Sequence, residues 1–435
     1  MTDQTDPIDQ PADQPADRPT DRPTDRPTDR PTDRHSPLHD EHVALGANLT
    51  SFGGWLMPLR YTSDLAEHRA VREAAGLFDL SHMGEIEVAG PQAAAALDHA
   101  LVGNLTAVAP GRARYTMICQ EDGAVLDDLV VYRLGAERFL VVANAGNADL
   151  VARELVARAA GFDATVTDQG AGTALVAVQG PRAEEIVVGL TGAVGTDVPG
   201  TDAAGSDAAG AVRGLKYYAA VPLALSTDAG PVDALVARTG YTGEDGFELF
   251  VPADRAADLW RTVLAVGAPL GLVPAGLSAR DSLRLEAGMP LYGHELDTTT
   301  TPYEAGLGRV VKLDKVADDG TPLEFVGRAA LAARRASAPA RVLVGLKGLG
   351  RRPARAGYAV VLTDAEPGGA VGESARRVGT VTSGAPSPTL GHPIALAYVT
   401  PELSAEGTEL AVDVRGRAEP VVVVPLPFYR RPQQS

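Results

Sequence analysis

The pattern of hydrophobic and polar positions divides the chain into three parts. Residues 1–35 show no apolar periodicity, whereas residues 36–335 alternate short β-branched runs with segments of helical spacing. From residue 336 to residue 435 short strands dominate. These patterns predict an unstructured segment, an α+β body and a separate C-terminal β-barrel or sandwich.

Cap residues and glycines place two helices at the start of the body, over residues 36–46 and 63–76. A third helix is predicted over residues 91–99, among strands at 84–89, 114–119 and 139–143. In the C-terminal domain the β-branched runs predict strands at 342–346, 358–362, 378–382, 395–399 and 420–424.

Two segments have a low-complexity composition. Residues 1–35 pass from Pro-Ala-Asp-Gln into four-residue Pro-Thr-Asp-Arg repeats, in which proline removes amide donors and the charged residues stay hydrated. We therefore expect a disordered tail. An Ala-, Gly- and Asp-rich stretch near residues 196–212 is predicted to be an expanded surface loop that tolerates deletion.

The charge and the cysteine content exclude several classes of protein. The formal net charge of −17 argues against a nucleic-acid-binding protein, which would carry a basic face. A single cysteine, Cys119, cannot form an intramolecular disulfide framework or a cysteine metal site, and it suits a reducing cytoplasm. The sequence has no apolar run of the ~20 residues that a membrane helix needs, and its acidic start is unlike a secretory signal or transit peptide. We expect a cytoplasmic protein.

Two adjacent carboxylates, Asp127 and Asp128, precede the apolar run at residues 129–132. Because side chains alternate faces along a strand, the two must point in opposite directions. One interpretation is a solvated turn that leads into a strand. The other is an inward carboxylate that handles a substrate proton or amine, because a buried carboxylate needs a partner. The segment alone leaves both open.

Several blocks of sequence occur together and are jointly specific. They are Phe-Gly-Gly-Trp-Leu-Met-Pro (52–58), Glu-His-Arg-Ala-Val-Arg (67–72), Leu-Phe-Asp-Leu-Ser-His-Met-Gly-Glu (77–85), Arg-Thr-Gly-Tyr-Thr-Gly-Glu-Asp-Gly-Phe-Glu (238–248), Pro-Ala-Gly-Leu-Ser-Ala-Arg-Asp-Ser-Leu-Arg-Leu-Glu (274–286), Thr-Ser-Gly-Ala-Pro-Ser-Pro-Thr-Leu-Gly (382–391) and Pro-Phe-Tyr-Arg (427–430). With these blocks the chain resembles aminomethyltransferase, the T-protein of the glycine cleavage system, from about Ser36 to Arg430. The resemblance implies an α+β folate-binding body of antiparallel sheets and helices, a C-terminal β-barrel that leans across it, and a ligand cleft between the two.

The resemblance implies a reaction and its partners. In this family, tetrahydrofolate takes a one-carbon unit from an aminomethyl group on the lipoyl arm of H-protein, giving 5,10-methylenetetrahydrofolate, ammonia and dihydrolipoyl H-protein. The expected partners are lipoylated H-protein with the glycine decarboxylase and dihydrolipoyl dehydrogenase components, and no metal is expected.

Docking of H-protein should need a local basic surface. Candidates are Arg351, Arg352 and Arg355, although a solvated basic loop explains them equally well.

The same resemblance assigns the site residues. It makes Asp128 the catalytic carboxylate, with Asp127 as a structural neighbour. It assigns folate contacts to Glu248, Arg280, Tyr115, Tyr241, Asn144, Met83 and Tyr429. From the residues alone, Arg280 could instead pair with Asp281 or Glu286. Tyr115, Tyr241 and Met83 could equally be core residues.

The histidines are not assigned to catalysis. His82 is predicted to be a hydrogen-bonded structural residue and His68 a helix-surface or packing residue, and no histidine has neighbours at metal-ligand spacing.

Two other functions are compatible with the same fold. A non-catalytic folate-binding relative would carry a Lys-Gly-Cys-Tyr type motif, where this chain has Arg238-Thr-Gly-Tyr. A folate-coupled demethylase module usually lies beside a flavin domain. The free-standing length and the Asp-Asp block favour the transferase.

Overall fold

A computed structural model describes residues 33–192, 204–317, 320–372 and 374–432. The α-helices in these ranges are α1 (His39–Ala44), α2 (Asp64–Glu73), α3 (Ala93–Ala100), α4 (Ala148–Arg158), α5 (Ala183–Gly189), α6 (Ala204–Gly214), α7 (Ala256–Gly267), α8 (Leu277–Glu286) and α9 (Arg328–Ala336). The strands of the body are β1 (Arg34–His35), β2 (Asn48–Phe52), β3 (Trp55–Arg60), β4 (Ala75–Asp79), β5 (Gly84–Ala89), β6 (Ala113–Cys119), β7 (Val125–Arg133), β8 (Arg138–Ala143), β9 (Thr165–Asp168), β10 (Thr173–Gln179), β11 (Ala220–Leu225), β12 (Val232–Ala237), β13 (Gly246–Pro252) and β14 (Leu272–Pro274). Those that follow α9 are β15 (Val342–Gly348), β16 (Ala359–Leu362), β17 (Arg376–Pro386), β18 (Pro393–Val399), β19 (Glu409–Asp413) and β20 (Ala418–Val424).

Two large sheets form the body. One has the strand order β6-β7-β8-β5-β9 and the other the order β11-β12-β13-β10-β4-β14, while β1, β3 and β2 make a smaller third sheet. Most neighbouring strands are antiparallel, as the family resemblance implied, although β14 runs parallel to β4 and β1 runs parallel to β3. The two large sheets share an apolar core, in which Tyr132 and Val142 of the first sheet pack with Leu175 and Phe250 of the second. These two inner faces are where a ligand site can form.

Helices cover the outer face of each large sheet. Helix α7 buries Trp260 completely against Val176 and Leu249 of the six-stranded sheet. Helices α3 and α4 pack Leu97 and Leu155 on the five-stranded sheet in the same way. Central strands such as β8 and β10 therefore have both faces covered, which explains their mostly apolar sequences.

The C-terminal domain is a closed barrel with the strand order β15-β18-β17-β16-β19-β20. Its interior is filled by valine, leucine and alanine side chains such as Val360, Ala397 and Val412. The barrel meets the body at helix α8, where Leu285 packs with Ile394 and Leu396 of β18. The structure confirms the predicted fold class, an α+β body followed by a β-barrel.

Several predicted helix boundaries are wrong by a few residues. Helix α1 begins at His39, three residues later than predicted. The Ser36 hydroxyl accepts a hydrogen bond from the Leu38 N–H and donates one to Asp79. Ser63 caps helix α2 as predicted, accepting from the Ala66 N–H at 3.2 Å. That helix ends at Glu73, because Ala75–Asp79 pairs with β10.

The predicted loop near residues 196–212 is wrong in its second half, where residues 204–214 form helix α6. Alanines at 208, 209 and 211 favour a helix, and Ala209 and Val212 are buried in the core behind the six-stranded sheet. The predicted disordered tail at residues 1–35 lies almost entirely outside the described residues, as does the stretch at 193–203. In the part of the chain that the structure describes, no helix is long and apolar enough to cross a membrane.

Candidate active site

Strand alternation places two acidic side chains on the facing sides of the two large sheets. On β7, Leu129 and Val131 point into the core behind the five-stranded sheet, so Asp128 and Tyr132 point toward the other sheet. On β13, Leu249 faces α7, so Glu248 points back toward β7. Asp128 and Glu248 therefore approach one space from opposite sheets.

That space is a cavity of about 540 Å³. Its lining includes Leu80, Val130 and Leu175 from the core, and every lining residue lies between Phe52 and Leu307. The cavity thus belongs to the body alone, and the prediction of a cleft between body and barrel is wrong. The barrel packs on α8 instead, and the facing sides of the two large sheets supply most of the cavity lining.

Asp128 lines the cavity and is held by two hydrogen bonds. The Tyr115 hydroxyl donates to its Oδ2 at 3.0 Å, and the Asn144 side-chain amide donates to its Oδ1 at 2.9 Å. Tyr115 and Asn144 line the cavity as well. The structure therefore brings together three of the residues that the sequence assigned to the site.

Asp127 is fully buried and lies outside the cavity lining. Its carboxylate accepts from the Asn144 backbone N–H at 3.0 Å, from the Asn144 side-chain amide at 2.8 Å and from the Asn147 side-chain amide at 2.9 Å. The strand does turn the two carboxylates to different faces, but both reach the amide of Asn144. The solvated-turn interpretation of this segment is wrong.

Burial is the main electrostatic influence on the pair. It raises the pKa of Asp127, and the neighbouring Asp128 charge raises that pKa further. Burial also raises the pKa of Asp128, against the hydrogen bonds from Tyr115 and Asn144 that lower it. Burial next to Asp128 holds the pKa of the Tyr115 hydroxyl well above its usual value, so this group stays a proton donor.

Only one of the two carboxylate oxygens of Glu248 has hydrogen-bond partners among the described residues. Its Oε2 accepts from Thr239 Oγ1 at 2.5 Å and from the Tyr132 hydroxyl at 3.1 Å. Within the described chain, its Oε1 receives no hydrogen bond, and the residue lines the cavity. Glu248 therefore presents one free acceptor oxygen to a ligand.

The glycines of the block at residues 238–248 serve close packing. A Cβ on Gly240 or Gly246 would lie 2.0 Å or 2.3 Å from atoms of the Gln179 side chain. Gln179 in turn donates to the Thr239 carbonyl at 3.0 Å and accepts from Thr242 Oγ1 at 3.0 Å. The block thus forms a rigid turn that carries Thr239 and Tyr241 to the cavity.

Arg280 and Tyr241 form one wall of the cavity. The Arg280 guanidinium lies 4.7 Å from the centre of the Tyr241 ring, and the Tyr241 hydroxyl donates to the Pro290 carbonyl. The alternative partners of Arg280 are engaged elsewhere: Asp281 pairs with Arg284 at 2.8 Å, and Glu286 pairs with Arg72 at 2.8 Å. Arg280 remains available to a ligand.

Two other residues that the resemblance assigned to the site, Met83 and Tyr429, lie in different places. Met83 lines the cavity, as the resemblance implied. Tyr429 does not: its ring lies 4.0 Å from the Arg72 guanidinium and its N–H donates to the Glu286 carbonyl at 2.8 Å. Its assigned ligand contact is therefore corrected to a contact between the end of the chain and the body.

Sequence reasoning missed several residues of the cavity. Tyr132 could have been found, because it lies four residues after Asp128 on the same face of one strand. Asn147, Tyr218 and Tyr292 also line the cavity, but no local pattern marked them. Tyr218 adopts a positive φ of 58°, which is unusual for a bulky residue and is typical of functional sites.

His82 differs from its prediction, whereas His68 is the packing residue that one of its two interpretations expected. His82 is buried in the cavity wall, and its Nδ1 lacks a hydrogen-bond partner within the described residues. Burial lowers the pKa of His82 to about 4, so the ring is neutral at physiological pH. His68 is fully buried, and bonds Ser282 at 2.7 Å and Thr389 at 3.0 Å, so it is a packing residue between body and barrel.

Among the described residues, no group of three or more His, Cys, Asp or Glu side chains could hold a metal ion. The docking arginines that the sequence suggested include Arg352, which is bonded to Glu419 at 3.3 Å.

Comparison with known proteins gives the class. A family model described as the GCVT N-terminal domain matches residues 38–315, and one described as the glycine cleavage T-protein C-terminal barrel domain matches residues 341–430. The fold and the site therefore define a two-domain protein that joins a GCVT body to a T-protein barrel.

Individual relatives identify the family. The chain is 57% identical to an aminomethyltransferase of Streptomyces coelicolor, over 90% of this chain and 96% of the relative. It is 44% identical to an aminomethyltransferase of Moorella thermoacetica, over 92% of this chain and 98% of the relative. A crystal structure of glycine cleavage system aminomethyltransferase T from Bartonella henselae matches with a TM-score of 0.77 and 34% identity, over 92% of this chain and 98% of that one. The chain belongs to the aminomethyltransferases, the T-protein family of the glycine cleavage system.

Proposed function

We propose that this protein transfers the methylene carbon of an aminomethyl-lipoyl H-protein to tetrahydrofolate. The products are 5,10-methylenetetrahydrofolate, ammonia and dihydrolipoyl H-protein. The observation that carries the proposal is Asp128, a carboxylate held by Tyr115 and Asn144 in the wall of an internal cavity. The two aminomethyltransferase relatives and the family models support it.

The cavity fits a folate in size and in chemistry. Its volume of about 540 Å³ lies in the range of ~300–1,000 Å³ that is usual for cofactor sites. The free oxygen of Glu248 can accept N–H groups from the edge of a pterin ring, and Arg280 can donate to a carboxylate or a carbonyl of the ligand. Tyr241 and Met83 supply apolar surface beside them. These residues would hold the folate.

The folate, when bound, supplies two nitrogen nucleophiles. For each transfer, the carbon–sulfur and carbon–nitrogen bonds of the aminomethyl group break and two carbon–nitrogen bonds form. The two protons that leave the folate nitrogens end on ammonia and on the lipoyl sulfur. Asp128 lies where it can orient a nitrogen, stabilise the developing positive charge and pass a proton on. The apolar lining keeps water from the reacting carbon.

The partner and the cellular location belong to the same proposal. Lipoylated H-protein is the proposed carrier, with the glycine decarboxylase and dihydrolipoyl dehydrogenase components as further members of the system, and the cytoplasm is the proposed location. Neither a nucleic acid nor a membrane is proposed as a partner.

The experiment is a single-turnover assay with aminomethylated H-protein and tetrahydrofolate, in which 5,10-methylenetetrahydrofolate is measured. Asp128→Asn should lose ~10²–10⁴-fold in rate, because it keeps the shape of the side chain but removes its charge and its proton-accepting role. Asp233→Asn, the same change at an exposed position on β12, should leave the rate unchanged. If the wild type binds folate and transfers nothing, the protein is a folate-binding member of this fold without the activity. Formation of product by Asp128→Asn at the wild-type rate would also reject the assignment.

A further inference from the structure

The two carboxylates of the Asp127-Asp128 pair meet at one amide. The Asn144 Nδ2 lies 2.8 Å from Asp127 Oδ1 and 2.9 Å from Asp128 Oδ1, so a single amide group donates to both. Consecutive side chains of a strand normally diverge and share no partner. Here Asn144 follows directly on the neighbouring strand β8, whose end places its amide between them.

Three hydrogen bonds hold the Asp127 carboxylate in place. They come from the Asn144 backbone N–H, the Asn144 side chain and the Asn147 side chain. Among the described residues Asp127 has no salt bridge, although its side chain is fully buried. Burial of a carboxylate is costly, and an apolar residue would fill the same space more cheaply.

We propose that Asp127 is a positioning residue for Asp128: it holds the Asn144 amide against the Asp128 carboxylate. The inference rests on the proposed function, because it takes Asp128 as the group that acts on the substrate. It assigns Asn147 a role as well, since its side-chain amide donates to the same Asp127 oxygen, Oδ1, as the Asn144 side chain.

Among the described residues around the pair, none provides a compensating cation. Tyr115 donates to Asp128, and the hydroxyls of Tyr218, Tyr241 and Tyr292 are neutral neighbours whose pKa values are raised above 10. Glu295 adds a like charge, but its Oε2 is paired with Arg284 at 2.8 Å. The side-chain hydrogen bonds from Tyr115 and Asn144 therefore keep the pKa of Asp128 from rising further, and Asp127 acts on it through Asn144.

The test is the pH dependence of the single-turnover rate in Asp127→Asn. Activity should need the ionised form of Asp128, so the rate falls on the acid side as that carboxylate takes up a proton. Asp127→Asn weakens the hold on the Asn144 amide, whose hydrogen bond favours the ionised form of Asp128. We expect the acid-side midpoint to move to higher pH by about one unit, which is about tenfold in proton affinity. Tetrahydrofolate affinity should stay within about twofold, because Asp127 does not line the cavity.

Asn147→Ala is a second variant that tests the same role if Asp127→Asn does not fold. Without one of its three donors, Asp127 binds its proton more readily and accepts the Asn144 amide less strongly, so the acid midpoint should move the same way by a smaller amount. Asp233→Asn serves as the matched control, since it removes one exposed carboxylate and should leave the midpoint in place. Thermal unfolding of each variant shows that it is folded.

The outcomes separate this inference from the proposed function. If the wild type transfers the one-carbon unit and Asp128→Asn does not, the function stands. An acid midpoint that is then the same in Asp127→Asn, in Asn147→Ala and in the wild type overturns the positioning role. A rate that falls equally at every pH would show that Asp127 is only structural.

Discussion

At the scale of single residues, the site depends on which atoms are left without protein partners. Glu248 has one oxygen satisfied by Thr239 and Tyr132 and one that faces the cavity. In Glu248→Gln the side-chain oxygen can still accept the hydrogen bonds from Thr239 and Tyr132. The side-chain NH₂ group then faces the ligand, where it is a donor that meets the N–H donors of the pterin.

We therefore expect Glu248→Gln to weaken tetrahydrofolate binding by about 10–100-fold, or ~1.4–3 kcal/mol, as measured by calorimetry. Glu137→Gln is a suitable control, because Glu137 is exposed on the turn before β8. Equal affinity in the wild type and Glu248→Gln would place the pterin elsewhere in the cavity.

A second prediction concerns Glu85, which is fully buried on β5 with both carboxylate oxygens unpartnered among the described residues. Burial, and then the Asp168 charge, raise the pKa of Glu85 well above its usual 4.5. A carboxyl with a raised pKa binds its proton more tightly in the folded protein than in the unfolded chain. The free energy of unfolding therefore falls as the pH rises above the pKa that the group has in the unfolded chain.

Glu85→Gln removes this titration while it keeps the shape of the side chain. The free energy of unfolding of the variant, relative to wild type, should therefore increase by ~1 kcal/mol or more between pH 5 and pH 8. Urea unfolding at the two pH values measures this difference. A difference that is independent of pH would mean that Glu85 is ionised in the folded protein.

The sequence was informative about residue types but not about residue surroundings. Asp128, Glu248, Arg280 and Asn144 could be named because the family resemblance assigned them, and Glu248 and Arg280 lie within its distinctive blocks. Whether Asp128 or Asp127 faces the cavity required the strand's orientation in the sheet, which alternation alone leaves ambiguous. Tyr429 was misplaced because it follows the last strand, where only tertiary contacts with Arg72 decide its position.

At the scale of secondary structure, the strands were predictable and the helix α6 was not. Buried β-branched runs mark strands strongly, whereas the Ala- and Gly-rich residues 203–212 carry almost no periodicity. Their helix forms because Ala209 and Val212 find an apolar surface in the core. Tertiary burial therefore decided this element, as is usual for short helices.

This explanation predicts different effects for two helical valines. Val212→Ser in α6 should lower the free energy of unfolding by ~1.5–3 kcal/mol, because Val212 is 0% exposed. Val156→Ser in α4, where the side chain is 56% exposed, should change it by no more than ~0.5 kcal/mol. Chemical denaturation of both variants makes the comparison. Equal stabilities would mean that α6 adds nothing to the core, and that the whole stretch near 196–212 tolerates deletion.

At the scale of the whole molecule, one buried polar cluster joins the barrel to the body. Glu286, at the end of α8, accepts from Arg72 at 2.8 Å and from the Thr389 N–H and hydroxyl at 3.0 Å and 2.7 Å. His68 Nε2 lies 3.2 Å from the same carboxylate. Burial acts to raise the pKa of Glu286, but hydrogen bonds from His68, Ser387 and Thr389 outweigh it and lower the pKa to about 2.

A carboxylate with a lowered pKa stabilises the folded state above its unfolded pKa of about 4.5 and loses this contribution as the pH falls toward 2. Glu286→Gln should therefore destabilise the protein by ~3–5 kcal/mol at pH 7, because it leaves Arg72 buried with one partner fewer. The deficit should shrink between pH 4.5 and pH 2. Thermal unfolding across this range tests both statements, with exposed Glu73→Gln on α2 as the control. A constant deficit would show that Glu286 is not ionised in the folded protein.

The cavity lining runs from Phe52 to Leu307 and draws on both large sheets and on the segment that follows α8. During synthesis, the ribosome must therefore release almost the whole body before the ligand has a complete place to bind. Folate cannot assist the early steps of folding and can only stabilise a body that has already closed. The barrel, which is made last and contributes nothing to the lining, is free to fold after the site exists.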